Sequence, residues 1–267
     1  MFNQSPAYYQ VCGAFLRKNP MRSLVLSLLL VAGLAQADQG YDPATPQGAA
    51  NRTQWFLPGQ TQAVTADEFK TKHRGEPIAI YTHGCSGPYW PEEFRVIEYF
   101  TQQGYAVAWN IFTQRRGVGA SCSTDLTQLN NNPESINPKR MAARLKELEA
   151  VHDWARTNTK AKDYVIGGWS EGGRTVGLWQ RPVKAVIIFG MDCKYPGFWD
   201  IPKGQKTLIM HDQQDPWIEA KGRNGRSCAN WFNSGWVTQV ESANATHAPL
   251  PTQREYDLLT GWLSRLD

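Results

Sequence analysis

Residues 163–176 read DYVIGGWSEGGRTV. An apolar run ends in Gly167 and Gly168, then come a tryptophan, a serine, an acidic residue and two more glycines. A strand that stops here and a helix that starts just beyond would turn sharply at Ser170. Such a turn strains the serine backbone, and side chains two residues before and after it would collide. Gly168 and Gly172 occupy those two positions, and Gly173 lets the following helix pack close. The turn lifts the Ser170 hydroxyl above the sheet edge and sets helix N-terminal amides beside it. As a bare string G-x-S-x-G is weak; between a buried strand and a helix it is a strong sign of an activated serine.

Outward from this turn, apolar runs alternate with helical patterns. Residues 77–84, 105–112, 163–168, 184–190, 205–211 and 236–242 suit strands. Residues 92–104 suit a helix ending at Gly104. From Pro138 to Asn158, Met141, Leu145, Leu148, Val151 and Trp154 keep helical spacing. A further helix is expected from the serine turn to about Gln180, and another over 251–266. Residues 38–52 read as an extended lead-in, 53–65 as an edge strand, and 113–137 as a long polar loop. Alternating strands and helices imply an α/β fold with a mostly parallel twisted sheet and helices on both faces. No internal repeat or linker divides residues 38–267, so one domain is expected there.

A serine hydroxyl needs a base, and the base an orienting acid. Of five histidines, His247 follows the last strand, in a loop at the sheet edge where open α/β sheets bind ligands. His211 ends a strand and is the rival base; His152 lies on the long helix and reads as structural, and His73 precedes the first buried strand. The stretch LIMHDQQDPW (208–217) offers Asp212 and Asp215 as acids, Asp215 being preferred, with Asp192 a second alternative. The order Ser170, Asp215, His247 is the Ser…Asp…His order of α/β-hydrolases. Oxyanion donors are expected from the backbone N–H groups of Glu171 and of Cys85, in YTHGCSG (81–87). The Glu171 side chain either disfavours anionic substrates or faces solvent.

The combination YTHGCSG, GGWSEGG, LIMHDQQDPW and NATHAPL resembles the α/β-hydrolase superfamily, nearest the dienelactone-hydrolase-like esterases. The resemblance spans about residues 75–266. It implies a Ser-His-Asp triad, with Ser170 as nucleophile, His247 as base and Asp215 as acid, and ester hydrolysis through an acyl-enzyme with no metal or organic cofactor. It departs from dienelactone hydrolases proper, which use a cysteine nucleophile and are cytoplasmic. Only residues 191–204 lie where many such folds insert a cap, so no large cap domain is expected. Loop aromatics (Tyr89, Trp90, Trp199, Trp217, Trp231, Phe232) either line a cleft or pack the loops.

Residues 1–37 differ from the rest. Arg17, Lys18 and Arg22 precede an apolar run at 23–34 and Ala35-Gln36-Ala37, the pattern of a secretory signal peptide. The run is shorter than the ~20 residues of a spanning helix. Met21 is an alternative start. Three of the 28 basic and none of the 24 acidic residues fall in this segment, so the net charge drops from +4 to +1 without it. No basic stripe then points to nucleic acid. Cys85, Cys122, Cys193 and Cys228 remain, which in an exported protein suggests two disulfides. In the strand order that the resemblance implies, these cysteines follow neighbouring strands in pairs, giving Cys85–Cys122 and Cys193–Cys228. The expected protein is therefore an exported, periplasmic or secreted, serine hydrolase acting on a small-molecule or polymeric ester. It would have no stable membrane anchor once the signal is removed. A small secreted peptidase or amidase, and a non-catalytic binding protein of the same fold, are the alternatives.

Overall fold

The computed structural model describes residues 45–85, 87, 90–111, 138–191, 201–216, 235–242 and 246–266. In chain order they form α1 (Pro46–Asn51), β1 (Thr53–Phe56), α2 (Ala66–Lys72), β2 (Ile78–Thr82), α3 (Pro91–Gln102), β3 (Ala106–Asn110) and α4 (Pro138–Asn158). There follow β4 (Tyr164–Trp169), α5 (Glu171–Val176), β5 (Ala185–Phe189), β6 (Thr207–Asp212), β7 (Val237–Ser242) and α6 (Gln253–Leu263). The seven strands make one sheet in the order β1-β3-β2-β4-β5-β6-β7. Only β1 runs antiparallel, against β3; all other pairs are parallel.

Strands β2 to β6 are buried along their whole length, and their side chains divide by parity between two cores. Ile78, Ile80, Ile166, Val186 and Ile188 face one way, against α1, α2, α4 and α5. Ala79, Tyr81, Val165, Ile187 and Phe189 face the other, against α3 and α6. This period of two, with apolar residues on both faces, is what a helix-covered parallel sheet demands. Each fully buried Val, Ile, Leu or Phe removes apolar surface worth ~1.5–3 kcal/mol. On α4, Met141, Leu148, Val151 and Trp154 are buried as their spacing requires, and Leu145 is partly so.

The strand order reverses at β2: the chain goes from β2 to β3 on one side and returns to β4 on the other. Ligands in open α/β sheets sit above the carboxyl ends of strands at such a switch point. The loops after β2 and β4 therefore meet here, with Thr82 opposite Gly168 in the register.

Three expectations need correction. The segment 38–52 contains α1, with Pro46 in its first turn and the Thr45 side chain accepting the Gly48 N–H at 3.1 Å. The strand expected over 53–65 is only β1, joined to Val64 by one bridge from Trp55; α2 follows, opened by a Thr65–Glu68 capping box. The helix after Ser170 stops at Val176 rather than near Gln180. Gly177 caps it, Leu178 and Trp179 make tighter three-residue turns, and Pro182 ahead denies a continuing helix. Only residues 190–206 separate β5 from β6, and no cap domain occurs among the described residues. Residues 1–37, the loop 113–137, Cys122, Asp192, Cys193, Cys228 and, of the loop aromatics, Tyr89, Trp199, Trp217, Trp231 and Phe232 lie outside those residues.

Candidate active site

Ser170 stands between β4 and α5 with φ 54° and ψ −115°. That left-handed backbone is rare and costly for a residue with a side chain, and persists only where its surroundings fix it. Here the Ser170 N–H donates to Phe189 O at 2.9 Å, and the Arg174 N–H donates to Ser170 O at 3.0 Å. The turn is also sterically committed. A Cβ on Gly172 would fall on the carbonyl oxygens of Thr82 and His83, inside the 3.0 Å that real contacts respect. A Cβ on Gly168 would strike the Gly172 carbonyl. The glycines thus let the serine turn close on itself and sit directly against the end of β2.

Asp215 and His247 are in contact: His247 Nδ1 lies 2.6 Å from Asp215 Oδ2. The carboxylate is fully buried and the imidazole side chain 12% exposed. The Asp215 N–H donates to Asp212 O at 3.2 Å, so the loop folds back on the end of β6. Asp212, the alternative acid, serves the loop before His247. It accepts the Ser242 hydroxyl, the Thr246 N–H at 3.1 Å and the Thr246 hydroxyl at 2.6 Å. His247 O accepts from Trp169 Nε1 at 2.5 Å, and the two rings are 5.3 Å apart. Its Cε1 would be 3.3 Å from a Cβ on Gly190, the residue after the carbonyl that holds Ser170 N–H. Both Ser170 and His247 therefore abut the end of β5. His211 faces elsewhere, with Nε2 against Gln239 Nε2 at 2.8 Å and Glu241 at 3.6 Å. His152 is buried between the ring edges of Tyr164 and Trp179, and neither of its nitrogens has a hydrogen-bond partner among the described residues. Burial lowers its pKa to about 4.

The loop after β2 is tied down by a guanidinium from one face of the sheet and a carboxyl group from the other. Arg144, on α4, is fully buried. Its Nη1 donates to Glu171 Oε1 at 2.8 Å, and its Nη2 to Thr82 Oγ1 at 2.9 Å and to His83 O. From the other face Glu93, on α3, accepts the Gly84 N–H at 2.9 Å. His83 Nδ1 donates to Gly84 O at 2.6 Å. Glu171 thus points inward onto a guanidinium. Both readings of its side chain, repulsion of anionic substrates and solvent exposure, are replaced by burial in an ion pair.

Sequence reasoning missed Arg144 and Glu93. The signal was present: Arg144 is three residues after Met141 and four before Leu148, on the apolar stripe of α4. Glu93 likewise leads Val96, Ile97 and Phe100 on α3. A charge on an apolar stripe must be paired or neutral. Among the described residues, no group of three or more His, Cys, Asp or Glu side chains could hold a metal ion. No helix there is long and apolar enough to cross a membrane.

No protein-family model and no curated protein matches the sequence. Solved structures do match. One is the dienelactone hydrolase of Anabaena variabilis, with TM-score 0.52 and 19% identity, covering 79% of this chain and 89% of that one. Another is a cold-adapted esterase from an Arctic intertidal metagenomic library, with TM-score 0.51 and 14% identity, covering 73% and 84%. The sheet order, the switch point and these likenesses define an α/β-hydrolase fold. These neighbours are thus a dienelactone hydrolase and an esterase.

Proposed function

We propose that the protein is a serine hydrolase that cleaves carboxylic esters. The observation that carries this reading is the Asp215–His247 pair at 2.6 Å, set beside the strained turn of Ser170. In this mechanism the Ser170 hydroxyl oxygen attacks the ester carbonyl carbon while His247 Nε2 takes its proton. The tetrahedral oxyanion is received by the backbone N–H groups of Cys85 and Glu171. The carbon–oxygen bond to the alcohol breaks, and His247 returns the proton to that alcohol. Water then attacks the acyl-serine, loses a proton to His247 and releases the carboxylic acid, and the proton goes back to Ser170. Asp215 keeps the His247 tautomer with Nδ1 protonated and stabilises the imidazolium. The esterase and dienelactone hydrolase among the structural neighbours support this reaction class.

The chain is further proposed to be exported, on the strength of residues 1–37, and to be oxidised. Cys85 as one half of a disulfide supports the second point; the Cys85–Cys122 and Cys193–Cys228 pairing remains the proposal. Intact mass before and after a fluorophosphonate, with Ser170→Ala alongside, tests the enzyme reading. One adduct on the wild type and none on the variant is expected, together with turnover of short-chain aryl esters. A folded wild type that takes no adduct and turns over no ester would overturn it. The untreated mass reads the removal of residues 1–37 and the four protons lost to two disulfides.

A further inference from the structure

We propose that Arg144 and Glu93 are positioning residues that clamp one peptide group, the one joining His83 to Gly84, and thereby aim the oxyanion loop. The proposal rests on the assignment of Cys85 N–H and Glu171 N–H as oxyanion donors.

In a trans peptide the C=O and the N–H point in opposite directions. The His83–Gly84 peptide is trans, and its two ends are held by a guanidinium and a carboxyl group from opposite sheet faces. Arg144 donates to its carbonyl oxygen from α4, and Glu93 accepts from its N–H from α3. The peptide cannot rotate without losing both bonds, and each loss would leave a buried charged or polar group uncompensated. The next peptide, Gly84–Cys85, is fixed in turn. His83 Nδ1 holds its carbonyl oxygen at 2.6 Å, so the Cys85 N–H must point the other way. A Cβ on Gly84 would lie 2.8 Å from the Trp169 ring, so only glycine lets this strand of backbone lie against the residue preceding Ser170.

The guanidinium does a second thing. Its Nη1 holds the Glu171 carboxylate at 2.8 Å while Nη2 holds the β2 loop. One planar group therefore sets the spacing between the two segments that carry the oxyanion donors. A lysine, with a single ammonium on a flexible stem, could not span both. Glu93 needs only an acceptor oxygen toward Gly84. Burial raises its pKa to about 8, with Arg144 opposing that rise, and Arg144, Glu92, Tyr81 and Trp109 are the groups around it. Glutamine should therefore substitute for it, and leucine should not.

The test uses the full mature chain carrying Arg144→Met, Arg144→Lys, Glu93→Leu or Glu93→Gln, with kcat and KM measured on a short-chain aryl ester. Melting temperature and the Gly84 amide signal in the NMR spectrum are read on the same samples. For Arg144→Met we expect kcat to fall ~10²–10³-fold, the size of losing one oxyanion donor, with KM within about 3-fold. Arg144→Lys should lose at least ~10-fold in kcat, because the fork and not the charge sets the spacing. Glu93→Leu should lose ~10–100-fold and release the Gly84 amide to faster exchange, and Glu93→Gln should recover most of that loss. If Arg144→Met does not fold, the Glu93 pair and Arg144→Lys decide. Folded variants with kcat near wild type, or a Glu93→Gln as impaired as Glu93→Leu, overturn the clamp while leaving the hydrolase reading intact. A wild type with no fluorophosphonate adduct and no turnover overturns both.

Discussion

The two sides of β4 are built from different materials. On the β2 side, a guanidinium and two carboxyl groups are buried together: Arg144, Glu171 and Glu93. On the β6–β7 side, one carboxylate–imidazole pair is carried by the loops after these two strands, and the second loop is tied by hydrogen bonds from Thr246 to Asp212 and from Trp169 to His247 O. Strand β7 is only half-buried until Ser242, whereas β2 is buried throughout. A buried charge that loses its ionic partner costs about 3–5 kcal/mol, while a single hydrogen bond to a carboxylate contributes about 1.5–3. The β2 side is thus fixed by what would be left unpaired if it moved. The β7 side is held by many weaker bonds around an imidazole whose ring is partly exposed.

That contrast can be broken or sharpened by four experiments. The largest effect belongs to Asp215→Asn. It should lower kcat by about 10⁴-fold, through loss of the imidazolium partner and the correct tautomer, and barely change the melting temperature. Steady-state kinetics and calorimetry on one sample check it; a large drop in stability would show that the β7 side is as charge-locked as its opposite.

The next effect is on stability. Arg52 Nη2 lies 2.6 Å from Glu147 Oε1 with both side chains almost fully buried. Burial raises the Glu147 pKa, and Arg52 pulls it back. Glu147→Leu should cost about 3–5 kcal/mol in urea unfolding by leaving Arg52 buried alone, and adding Arg52→Met should restore most of it.

Acid supplies the third. His152 has a folded pKa of about 4, below its ordinary value of ~6.5, so the fold prefers it neutral. Its contribution is complete above the unfolded pKa and is lost as pH falls toward the folded one. The loss should be on the order of 3 kcal/mol between pH 7 and pH 4. Chemical denaturation across that range should show a shallower slope for His152→Phe than for wild type.

The smallest is Thr246→Val, which removes the hydroxyl bond to Asp212 and the acceptor of the Ala248 N–H. A stability loss of about 1.5–3 kcal/mol with kcat down by roughly 10-fold is expected, since the loop it steadies carries His247. An unchanged kcat would mean that Asp215 alone orients the imidazole.

Much of this architecture was legible before any coordinates. The apolar runs of β2 to β6 are unbroken because both faces are covered, and α4 keeps its stripe from Met141 to Trp154. The glycines around Ser170 announce a turn with no room for Cβ atoms. What was not legible was either too short or too long-range. Helix α1 has six residues and α5 six, below the length at which periodicity speaks. The capping box at Thr65 and Glu68 was the one local signal for α2. Glu171 was misread because its neighbour Arg144 is 27 residues away in sequence, on a helix that crosses behind β2. A charge in a glycine-rich turn reads as a surface feature until the fold supplies a partner.

The small helix α1 has a consequence for how the polypeptide tolerates trimming. Ala49 and Ala50 are wholly buried, Trp154 Nε1 donates to Gln47 at 3.0 Å, and Trp55 Nε1 donates to Ala50 O at 2.9 Å. Arg52, the cation that neutralises Glu147, comes immediately after. Cleavage within α1 would unseat a tryptophan, and cleavage beyond Arg52 would also strand a carboxylate in the core, so that a clip here becomes an unfolding event.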